Sequence, residues 1–411
     1  MVSKWLTICL YDSMSQDQVH KYSTLYKAFK YQTEKGPVDA VTGNARYTIN
    51  ESKLLREIVD GSYVDCLVTS FDGSGPYTVR AIACDTISQL KQKILDHIFK
   101  RTPHSQRPAL FSFDLELLCP SRGRLTLSDW SGSPSMKSPT KLNTLSHYGI
   151  SSQSHLVMVP SEKGSAHYRD SLADSGKSSW TSLDRSSPMY PPSRFFHLSS
   201  PSRTLTIERR KKIDESIPKS IPEVYLTRLL TSKGTVQKYI EDFVESVLFV
   251  EASTYPIILK RVFDLLDEEA ARNGVSDPQL VQQWKSNLYI LRVWVHLIKN
   301  PKILLDVSES ISQDGNLSVV AQTLMDCFSF SEQILGAHSP SSRLLFAKEV
   351  ARLRPLSSDL FRKIRRQPSV TDEAFIEILN DVANCLCECT RSNCGALRTA
   401  HMGSRKWCSS C

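Results

Sequence analysis

A helical pattern of apolar positions runs through WKSNLYILRVWVHLIKNP, residues 284–301. Its apolar residues recur in alternating steps of four and three, the period of an α-helix packed along one face: Trp284, Leu288, Leu291, Val295 and Ile298. A second, basic row is offset from the first and consists of Lys285, Arg292, His296 and Lys299. The pattern predicts one buried helix whose basic face suits an anion or an acidic partner. The alternative is that Lys285 and Lys299 are solvated and Arg292 pairs with a structural carboxylate.

Residues 1–60 also have a helical pattern. An apolar stripe ends before Gly36 and Pro37 and is formed by Tyr22, Leu25, Tyr26 and Phe29. Thr48 and Glu51 have the spacing of a capping box, which predicts a second helix running to about Val59.

From Ser220 the pattern is again helical almost to the end of the chain. Gly234 is predicted to end a first helix, and Thr235 to cap the next one. Ser276 is predicted to cap the helix that carries Arg292, and Pro301 to end it. Two more helices are predicted over residues 316–335 and 340–350, so this half of the chain is all-α.

The period changes in residues 63–160. Strands are predicted at Asp65–Phe71, Tyr77–Ala83, Phe113–Leu118, Leu125–Ser128 and His155–Val159. Between the second and third of them, Thr86 and Gln89 form a capping box that opens an amphipathic helix. Two strands, a helix and further strands predict a ubiquitin-like β-grasp domain.

Two segments lack such periodicity. Residues 161–203 are rich in Ser, Pro and Arg and are predicted to be a disordered linker. Six of the eleven cysteines lie between Cys385 and Cys411, in a spacing unlike the paired CxxC of a zinc site, so no metal is predicted there. An alternative terminus or a mistaken gene structure is the expected origin of this tail. The other cysteines are single and are predicted to be buried free thiols.

Composition narrows the class of protein only moderately. The chain has 411 residues, of which 40% are hydrophobic, and this fits two globular domains. Its formal net charge of +8 is weak support for an acidic partner. No apolar run reaches the roughly 18 residues of a membrane span, and the start of the chain is too short and too polar for a signal peptide. No GxxxxGK[ST] loop is present, so nucleotide binding of the P-loop type is not expected. We expect no cofactor, no metal and no nucleic-acid partner.

Several long segments resemble one family. IPEVYLTRLLTSKGTVQKYIEDF, WKSNLYILRVWVHLIKNP, LSVVAQTLMDC and HSPSSRLLFAKEV occur in the order found in the second half of the cytoplasmic region of plexins, the semaphorin receptors. The resemblance runs from about Ile221 to Val350 and weakly to about Leu379. EKGPVDAVTGNARYTINESKLLRE is similar to the plexin segment that precedes the inserted domain. SQRPALFSFDLELL, KLNTLSHYGI and HLVMVP resemble the plexin Rho-GTPase-binding domain.

The resemblance implies an α+β multidomain protein, with a mostly α-helical split Ras-GAP-type domain and an inserted ubiquitin-like β-grasp domain. Residues 1–60 would be the C-terminal part of the first GAP segment, 63–160 the Rho-GTPase-binding domain and 161–203 the linker. Residues 204–379 would be the second GAP segment, and 380–411 a divergent Cys-rich tail. Most of the first GAP segment would be absent, together with a further pair of catalytic arginines.

The same resemblance assigns functional residues. It places a catalytic arginine on Arg292, and Asn300 is a candidate for ordering the partner's switch region, although its alternative role is a helix C-cap. The surface that faces a Rho-family GTPase would include Leu142, His147, Tyr148, Met158, Val159 and Pro160. For Leu142 and Val159 the alternative is an ordinary core position. A tryptophan of the family falls near Pro139 here, which puts affinity for Rac and Rnd in question.

Three functional hypotheses follow from the resemblance. The first is a plexin cytoplasmic region that stimulates GTP hydrolysis by Rap/Ras-type GTPases and binds Rac/Rnd-type GTPases. The second is a binding-only fragment that recruits Rho-family GTPases without GAP activity, and the third is a truncation with no stable fold. For the full receptor we expect a semaphorin bound by an ectodomain absent from this sequence, a homodimer when active, and a location on the cytoplasmic side of the plasma membrane.

Overall fold

The structure is a computed structural model that describes residues 16–119, 123–130, 142–161, 197–198, 223–249, 257–308, 310–329 and 339–380. Most of the predicted linker 161–203, nearly all of the predicted tail 380–411 and the clustered cysteines lie outside these ranges. The main helices are α1 (Gln16–Glu34), α2 (Ile87–Ile98), α3 (Glu223–Leu248), α4 (Ile257–Arg272), α5 (Pro278–Ser286), α6 (Val295–Lys299), α7 (Ile311–Cys327), α8 (Ser341–Leu345) and α9 (Ala347–Arg365). A π-helical segment, Asn287–Trp294, joins α5 to α6.

The helices share one hydrophobic core that draws on both ends of the described chain. The predicted stripe on α1 is confirmed, because Tyr22, Leu25, Tyr26 and Phe29 are all buried. These side chains belong to the same cluster as Val236, Phe243 and other apolar residues as far along the chain as Ile364. The helix that precedes the sheet in sequence therefore packs with the helices that follow it.

The described residues between 63 and 160 form a separate sheet with its own core. Its strands are β1 (Tyr63–Thr69), β2 (Tyr77–Ile82), β3 (Phe113–Cys119), β4 (Gly123–Leu127) and β5 (His155–Pro160). Their order across the sheet is β2-β1-β5-β3-β4; β1 and β5 are parallel, and the other neighbours are antiparallel. The helix α2 covers one face, and both hydrogen bonds of the predicted Thr86–Gln89 capping box are present. This is the β-grasp arrangement that the sequence predicted.

The helix boundaries predicted at Thr48 and at Gly234–Thr235 are wrong, and in both places tertiary contacts outweigh the local signal. Thr48 does not cap a long helix, because its hydroxyl donates to Asn316 Oδ1 at 2.8 Å; the only helical turn there is the 3₁₀ segment Glu51–Lys53. Gly234 does not end a helix either, and Thr235 does not cap one, since both lie inside α3, which is 26 residues long. Packing of α3 against α1 on both sides of Gly234 offsets the roughly 1 kcal/mol that an interior glycine costs.

Polar side chains join α1 to the second helical segment. Gln18 Nε2 donates to the carbonyl of Ser246 at 2.9 Å, and Gln32 Nε2 donates to the carbonyl of Ser232 at 2.7 Å. The hydroxyl of Tyr22 donates to the carbonyl of Ile298, in α6, at 2.9 Å. These bonds satisfy buried acceptors and fix the register of α1 against its neighbours.

Several polar contacts attach the sheet domain to the helical part, and two of them involve α1 and Asp306. Lys30 of α1 pairs with Asp96 of α2 at 2.5 Å. The backbone N–H of Ser105, at a 3₁₀ turn of the sheet domain, donates to the carboxylate of Asp306 at 3.1 Å. The two contacts link the sheet domain to α1 and to the segment that follows Asn300.

Four of the five single cysteines lie in the described chain and are free thiols, and the predicted burial is confirmed for two of them; Cys9 lies outside the described residues. Cys66 and Cys327 are buried, whereas Cys84 and Cys119 are half-buried. Burial raises the pKa of the Cys66 thiol to about 11 and that of Cys327 to about 12, which keeps both protonated and unreactive at neutral pH.

Candidate functional site

Arg292 lies in the π-helical segment between α5 and α6. These three consecutive segments, residues 278–299, are here called the rod. Asp277, rather than the predicted Ser276, caps α5 by accepting a hydrogen bond from Gln279 N–H, and Pro278 occupies the first turn. From Asn287 the hydrogen bonds lengthen to the five-residue spacing of a π-helix, and the N–H of Val295 bonds to the carbonyl of Ile290. π-Helical segments occur frequently at functional sites. The rod ends at Lys299, before Pro301, as predicted.

The predicted core stripe of this rod is only partly correct. Val295 and Ile298 are buried and Trp284 and Leu288 are half-buried, but Leu291 is 42% exposed. The buried side is instead formed by Val281, Lys285, Tyr289, Ile290, Val293, Trp294 and Leu297. The prediction assumed an unbroken α-helix, whereas the π segment turns the side chains that follow it to a different side.

Lys285 is not part of a solvated basic face. Its side chain is 4% exposed, and Nζ lies 2.6 Å from both carboxylate oxygens of Asp267 on α4. The ammonium also lies 5.7 Å from the centre of the Phe263 ring. Lys285 is therefore a structural ion-pair residue that fixes α5 against α4.

Arg292 is exposed and has no carboxylate partner among the residues that the structure describes. The alternative that it pairs with a structural carboxylate is therefore not seen there. The backbone beneath it is fixed by Val293 and Trp294, which are 0% and 2% exposed. The Trp294 ring meets Phe243 edge-on with centroids 6.1 Å apart. An exposed guanidinium, without a carboxylate partner in the described ranges, thus projects from an anchored backbone.

Asn300 has the contacts of a helix C-cap. Its side-chain Nδ2 donates to the carbonyl of His296 at 2.7 Å and lies 3.2 Å from His296 Nδ1. Its own N–H bonds to the carbonyls of His296 and Leu297. The residue is half-buried, and its amide is engaged by the helix that it ends.

The predicted Rho-facing residues lie on two segments of the sheet domain. Leu142 and Met158 are each 2% exposed; Leu142 packs against Val41, and Met158 belongs to the core of the sheet domain. Both are therefore core residues in this structure and are not available for direct contact with a partner. The alternative for Leu142, an ordinary core position, describes its environment.

The other four predicted residues reach the surface to different degrees. His147 and Pro160 are exposed, and Tyr148 and Val159 are half-buried. The Tyr148 hydroxyl donates to the carbonyl of Ser128 at 2.7 Å, which ties the turn that holds it to the end of β4. The rings of His147 and Tyr148 meet edge-on at 5.1 Å.

The sequence reasoning missed the apolar surface next to Arg292. Leu280 and Leu291 are 38% and 42% exposed, although periodicity had assigned Leu291 to the core. One signal was available in the sequence: no Asp or Glu occurs from 278 to 305. A long stretch without carboxylates indicates that no acidic neighbour on the rod neutralises Arg292.

Within the described ranges, no group of three or more His, Cys, Asp or Glu side chains is placed to hold a metal ion. None of the described helices combines the length and the apolar character needed to cross a bilayer.

The fold and the sequence profile together identify the class of protein. A mostly helical core joined to a five-stranded β-grasp sheet is a mixed helix-and-sheet architecture, and its helical part is RasGAP-like. A sequence profile described as the plexin cytoplasmic RasGAP domain matches residues 1–398. The chain belongs to the plexin family.

Plexins from nematodes and vertebrates are similar to the chain along most of its length. Plexin-2 of Caenorhabditis elegans is 54% identical over 395 residues, which cover 94% of this chain and 22% of that protein. Plexin-B3 of Mus musculus is 36% identical over 389 residues, which cover 89% of this chain and 20% of that protein. Among solved structures, the chain is similar to the crystal structure of the ubiquitin like domain of PLXNC1, with 27% sequence identity. The match covers 24% of this chain and 100% of the PLXNC1 chain, and its TM-score is 0.22. The chain spans about a fifth of the length of its curated relatives.

Proposed function

We propose that this chain is the signalling region of a plexin and that it stimulates GTP hydrolysis by a Rap/Ras-type small GTPase. The observation that carries the proposal is the exposed guanidinium of Arg292, without a carboxylate partner among the described residues and mounted on a buried backbone. In this proposal Arg292 is the catalytic arginine and the nucleotide belongs to the partner.

The chemistry explains why an arginine suits this position. The γ-phosphoryl group passes through a loose transition state whose negative charge spreads over its oxygens. A guanidinium adds a positive charge and a planar fork of hydrogen-bond donors, which a lysine ammonium does not reproduce. Such an arginine contributes on the order of a thousand-fold or more to the rate. A rigid mount matters because a misplaced donor loses most of this effect.

The test measures GTP hydrolysis by a Rap-type GTPase in single turnover. The chain alone is expected to be a weak activator, because the family resemblance places further arginines in a first GAP segment. Joined to a plexin first segment and dimerised by a fused coiled coil, it is expected to accelerate hydrolysis strongly, since dimerisation raises the effective concentration of its parts.

In that dimerised form, Arg292→Ala is expected to abolish most of the acceleration, and Arg292→Lys is expected to fail as well. Arg272→Ala is the matched control, because Arg272 is an exposed arginine, 70% accessible, at the end of α4. Near-full activity of Arg292→Lys would contradict a role for the planar fork. A loss of helical circular dichroism in Arg292→Ala would make Arg292 a structural residue.

Asn300 has a secondary place in this proposal. Its amide is engaged with His296, so a role in ordering the partner's switch region requires that contact to open. Asn300→Ala is therefore expected to reduce the rate less than Arg292→Ala does.

A second proposed activity is binding of a Rac/Rnd-type GTPase by the sheet domain. Its support is that His147, Tyr148, Val159 and Pro160 reach the surface and that this domain has a core of its own. Residues 63–160, expressed alone, are expected to give a dispersed amide spectrum, and GTP-loaded Rac or Rnd is expected to shift the signals of His147 and Val159. Shifts confined to α2 would contradict this surface.

The remaining alternative is a fragment that binds Rho-family GTPases without GAP activity. It predicts the same spectral shifts, but no acceleration of hydrolysis in the dimerised form. For the full receptor, we propose recognition of a semaphorin, a homodimeric active state and a location on the cytoplasmic face of the plasma membrane.

A further inference from the structure

Within the described ranges, an arginine precedes a serine or threonine by three positions at three places. These pairs are Arg228 with Thr231, Arg354 with Ser357, and Arg366 with Ser369. Arginine at this spacing is what arginine-directed protein kinases recognise, because carboxylates in their substrate cleft bind the guanidinium fork. The fold decides which of the three hydroxyl groups such a kinase can reach.

Two of these hydroxyl groups are held inside helices. Thr231 lies in α3, and its hydroxyl donates to the carbonyl of Thr227 at 2.9 Å. Ser357 lies in α9, is 4% exposed, and donates to the carbonyl of Arg354 at 2.8 Å. A kinase must bring the hydroxyl into line with the γ-phosphate of ATP inside its own cleft. Both residues would therefore react only after local opening of a helix.

Ser369 lies instead on an exposed, non-helical connection. The helix α9 ends at Arg365, and residues 366–371 are neither helix nor strand. Pro368 prevents α9 from continuing, because proline has no N–H and disfavours helical backbone at the residue before it. Pro368 and Ser369 are both exposed, and the Ser369 hydroxyl has no hydrogen-bond partner among the residues that the structure describes. No structure has to open for this hydroxyl to enter a kinase.

The two arginines just before this connection are exposed and carry uncompensated charge. Arg365 meets the neutral amide oxygen of Gln282 at 3.4 Å. Neither Arg365 nor Arg366 has a carboxylate partner in the described part of the chain. Ser369 therefore follows two available guanidinium groups, at three and four positions, which can bind a kinase before the reaction and the phosphate after it.

We propose that Ser369 is a phosphorylation site for an arginine-directed serine/threonine kinase, and that Arg365 and Arg366 hold the phosphate once it is attached. Ser369 Oγ forms a bond to the γ-phosphorus of ATP, the bond from that phosphorus to the β–γ bridging oxygen breaks, and ADP leaves. The hydroxyl proton passes to the catalytic carboxylate of the kinase. The product carries a charge of about −1.5 to −2 at pH 7, which offsets the two guanidinium groups.

The arginines of α9 are the cations left for this phosphate. Residues 372–380, which follow the connection, form a further helical segment. Its Asp372 pairs with Arg261 of α4 at 2.7 Å, and Arg261 also pairs with Glu268 at 2.6 Å. Because Arg261 is already engaged by two carboxylates, a phosphate on Ser369 turns back towards the end of α9. The modification thereby fixes the connection between α9 and the segment 372–380, a role that goes beyond the proposed function.

The first experiment treats the full chain with the kinase domain of calcium/calmodulin-dependent protein kinase II, ATP and Mg²⁺, and locates phosphate by peptide mass spectrometry. Ser369 is expected to react at least about tenfold faster than Ser357 or Thr231, because it needs no local opening. Arg366→Ala is expected to slow the reaction at Ser369 by about tenfold or more. Arg362→Ala is the matched control, because Arg362 is 62% exposed near the same helix end, and it is expected to react like the parent.

The second experiment follows the phosphate itself by ³¹P resonance during a pH titration of the modified chain. Pairing with a guanidinium favours the dianion, so the second pKa of the phosphoserine is expected to lie below its ordinary value of about 6. Arg365→Gln, which keeps the arginine at three positions, is expected to raise that pKa by about half a unit.

Three results would overturn the phosphorylation site: no phosphate on Ser369, phosphate on Thr371 in its place, or equal rates in the parent and Arg366→Ala. The same second pKa in the parent and Arg365→Gln would overturn the part of Arg365 in holding the phosphate. Helical circular dichroism of each variant is compared with that of the parent, and because both arginines are exposed, no change is expected.

Discussion

The hydroxyl of Tyr22 donates a hydrogen bond of 2.9 Å to the carbonyl oxygen of Ile298, a residue 276 positions away. Ile298 lies in the last turn of the rod that carries Arg292, where carbonyls lack helical partners. Tyr22 is 1% exposed, and its ring packs 5.2 Å from that of Phe243, which also contacts Trp294. The helix α1 thus holds the end of the rod through one polar bond and one aromatic cluster.

Tyr22→Phe tests this connection. The substitution keeps the ring but leaves the buried carbonyl of Ile298 unpaired, so the free energy of unfolding is expected to fall by about 1 to 3 kcal/mol in urea denaturation. Tyr31→Phe is the control, since Tyr31 is 75% exposed on the same helix, and it is expected to change stability by less than about 0.5 kcal/mol. Equal stability of the two variants would show that the bond contributes nothing.

Asn316→Ala tests the polar cluster between α7 and the loop after α1. Asn316 is 0% exposed; its Oδ1 accepts from the Thr48 hydroxyl at 2.8 Å and from the Ile49 N–H at 3.0 Å, and Nδ2 donates to the Thr33 hydroxyl at 3.3 Å. Loss of all three bonds is expected to cost about 2 to 4 kcal/mol in the free energy of unfolding. Asn287→Ala, at an exposed position, is the control, and a loss below about 1 kcal/mol in Asn316→Ala would contradict the cluster's importance.

The ion pair of Lys285 with Asp267 gives an asymmetric prediction. Asp267→Ala leaves the buried ammonium without its partner, whereas Lys285→Met keeps the apolar stem and leaves only a half-exposed carboxylate. Because Asp267 is 48% exposed and water screens part of the pair, Asp267→Ala is expected to cost about 1 to 2 kcal/mol, and Lys285→Met less. Thermal denaturation of both variants measures the difference, and the reverse order would contradict burial of the lysine as the cause.

Glu34 is expected to make stability depend on pH. Burial raises the pKa of its carboxyl to about 7, against the pull of Lys30 in the opposite direction. The folded state then binds more protons than the unfolded state between about pH 4.5 and 7, so the free energy of unfolding falls as pH rises through that window.

Glu34→Gln replaces the titrating carboxyl by an amide that does not titrate. The stability of the variant relative to the parent is expected to rise between about pH 4.5 and 7 and to level off above pH 7. Denaturant titrations at several pH values measure the difference. Parallel pH profiles would mean that the carboxyl titrates alike in the folded and unfolded chains.

Local signals predicted the elements well where nothing distant competed with them. The stripe on α1, the capping box at Thr86 and the end of the rod before Pro301 all appear in the structure. Thr48 failed because its hydroxyl bonds to Asn316, 268 positions away. Gly234 failed because α3 packs against α1 beside it, where Gln32 bonds to Ser232, 200 positions away. No local window contains such contacts.

The candidate site was predictable in part. The exposure of Arg292 follows from its offset from the apolar positions, but the exposure of Leu291 and the burial of Lys285 do not. The exposure of Leu291 depends on the π segment, whose wider turn changes which residues share a side of the rod. The burial of Lys285 depends on its ion pair with Asp267 of α4, which lies 18 positions away. A hydrophobic period of 3.6 cannot reveal a local change to about 4.4 residues per turn.

The bond from Tyr22 to Ile298 also has a consequence for synthesis on the ribosome. At about 5 to 20 residues per second, the 276 residues that separate the partners take roughly 14 to 55 s to be made. During that time the apolar stripe of α1 has emerged, but the helices that bury it have not. The sheet domain has its own core and is complete by Pro160, so it can fold first, beside an α1 that still exposes Phe29 and Leu25. The period of greatest aggregation risk for the nascent chain is therefore the interval before α3 and the rod appear, and chaperones that recognise apolar helices are expected to bind α1 during it.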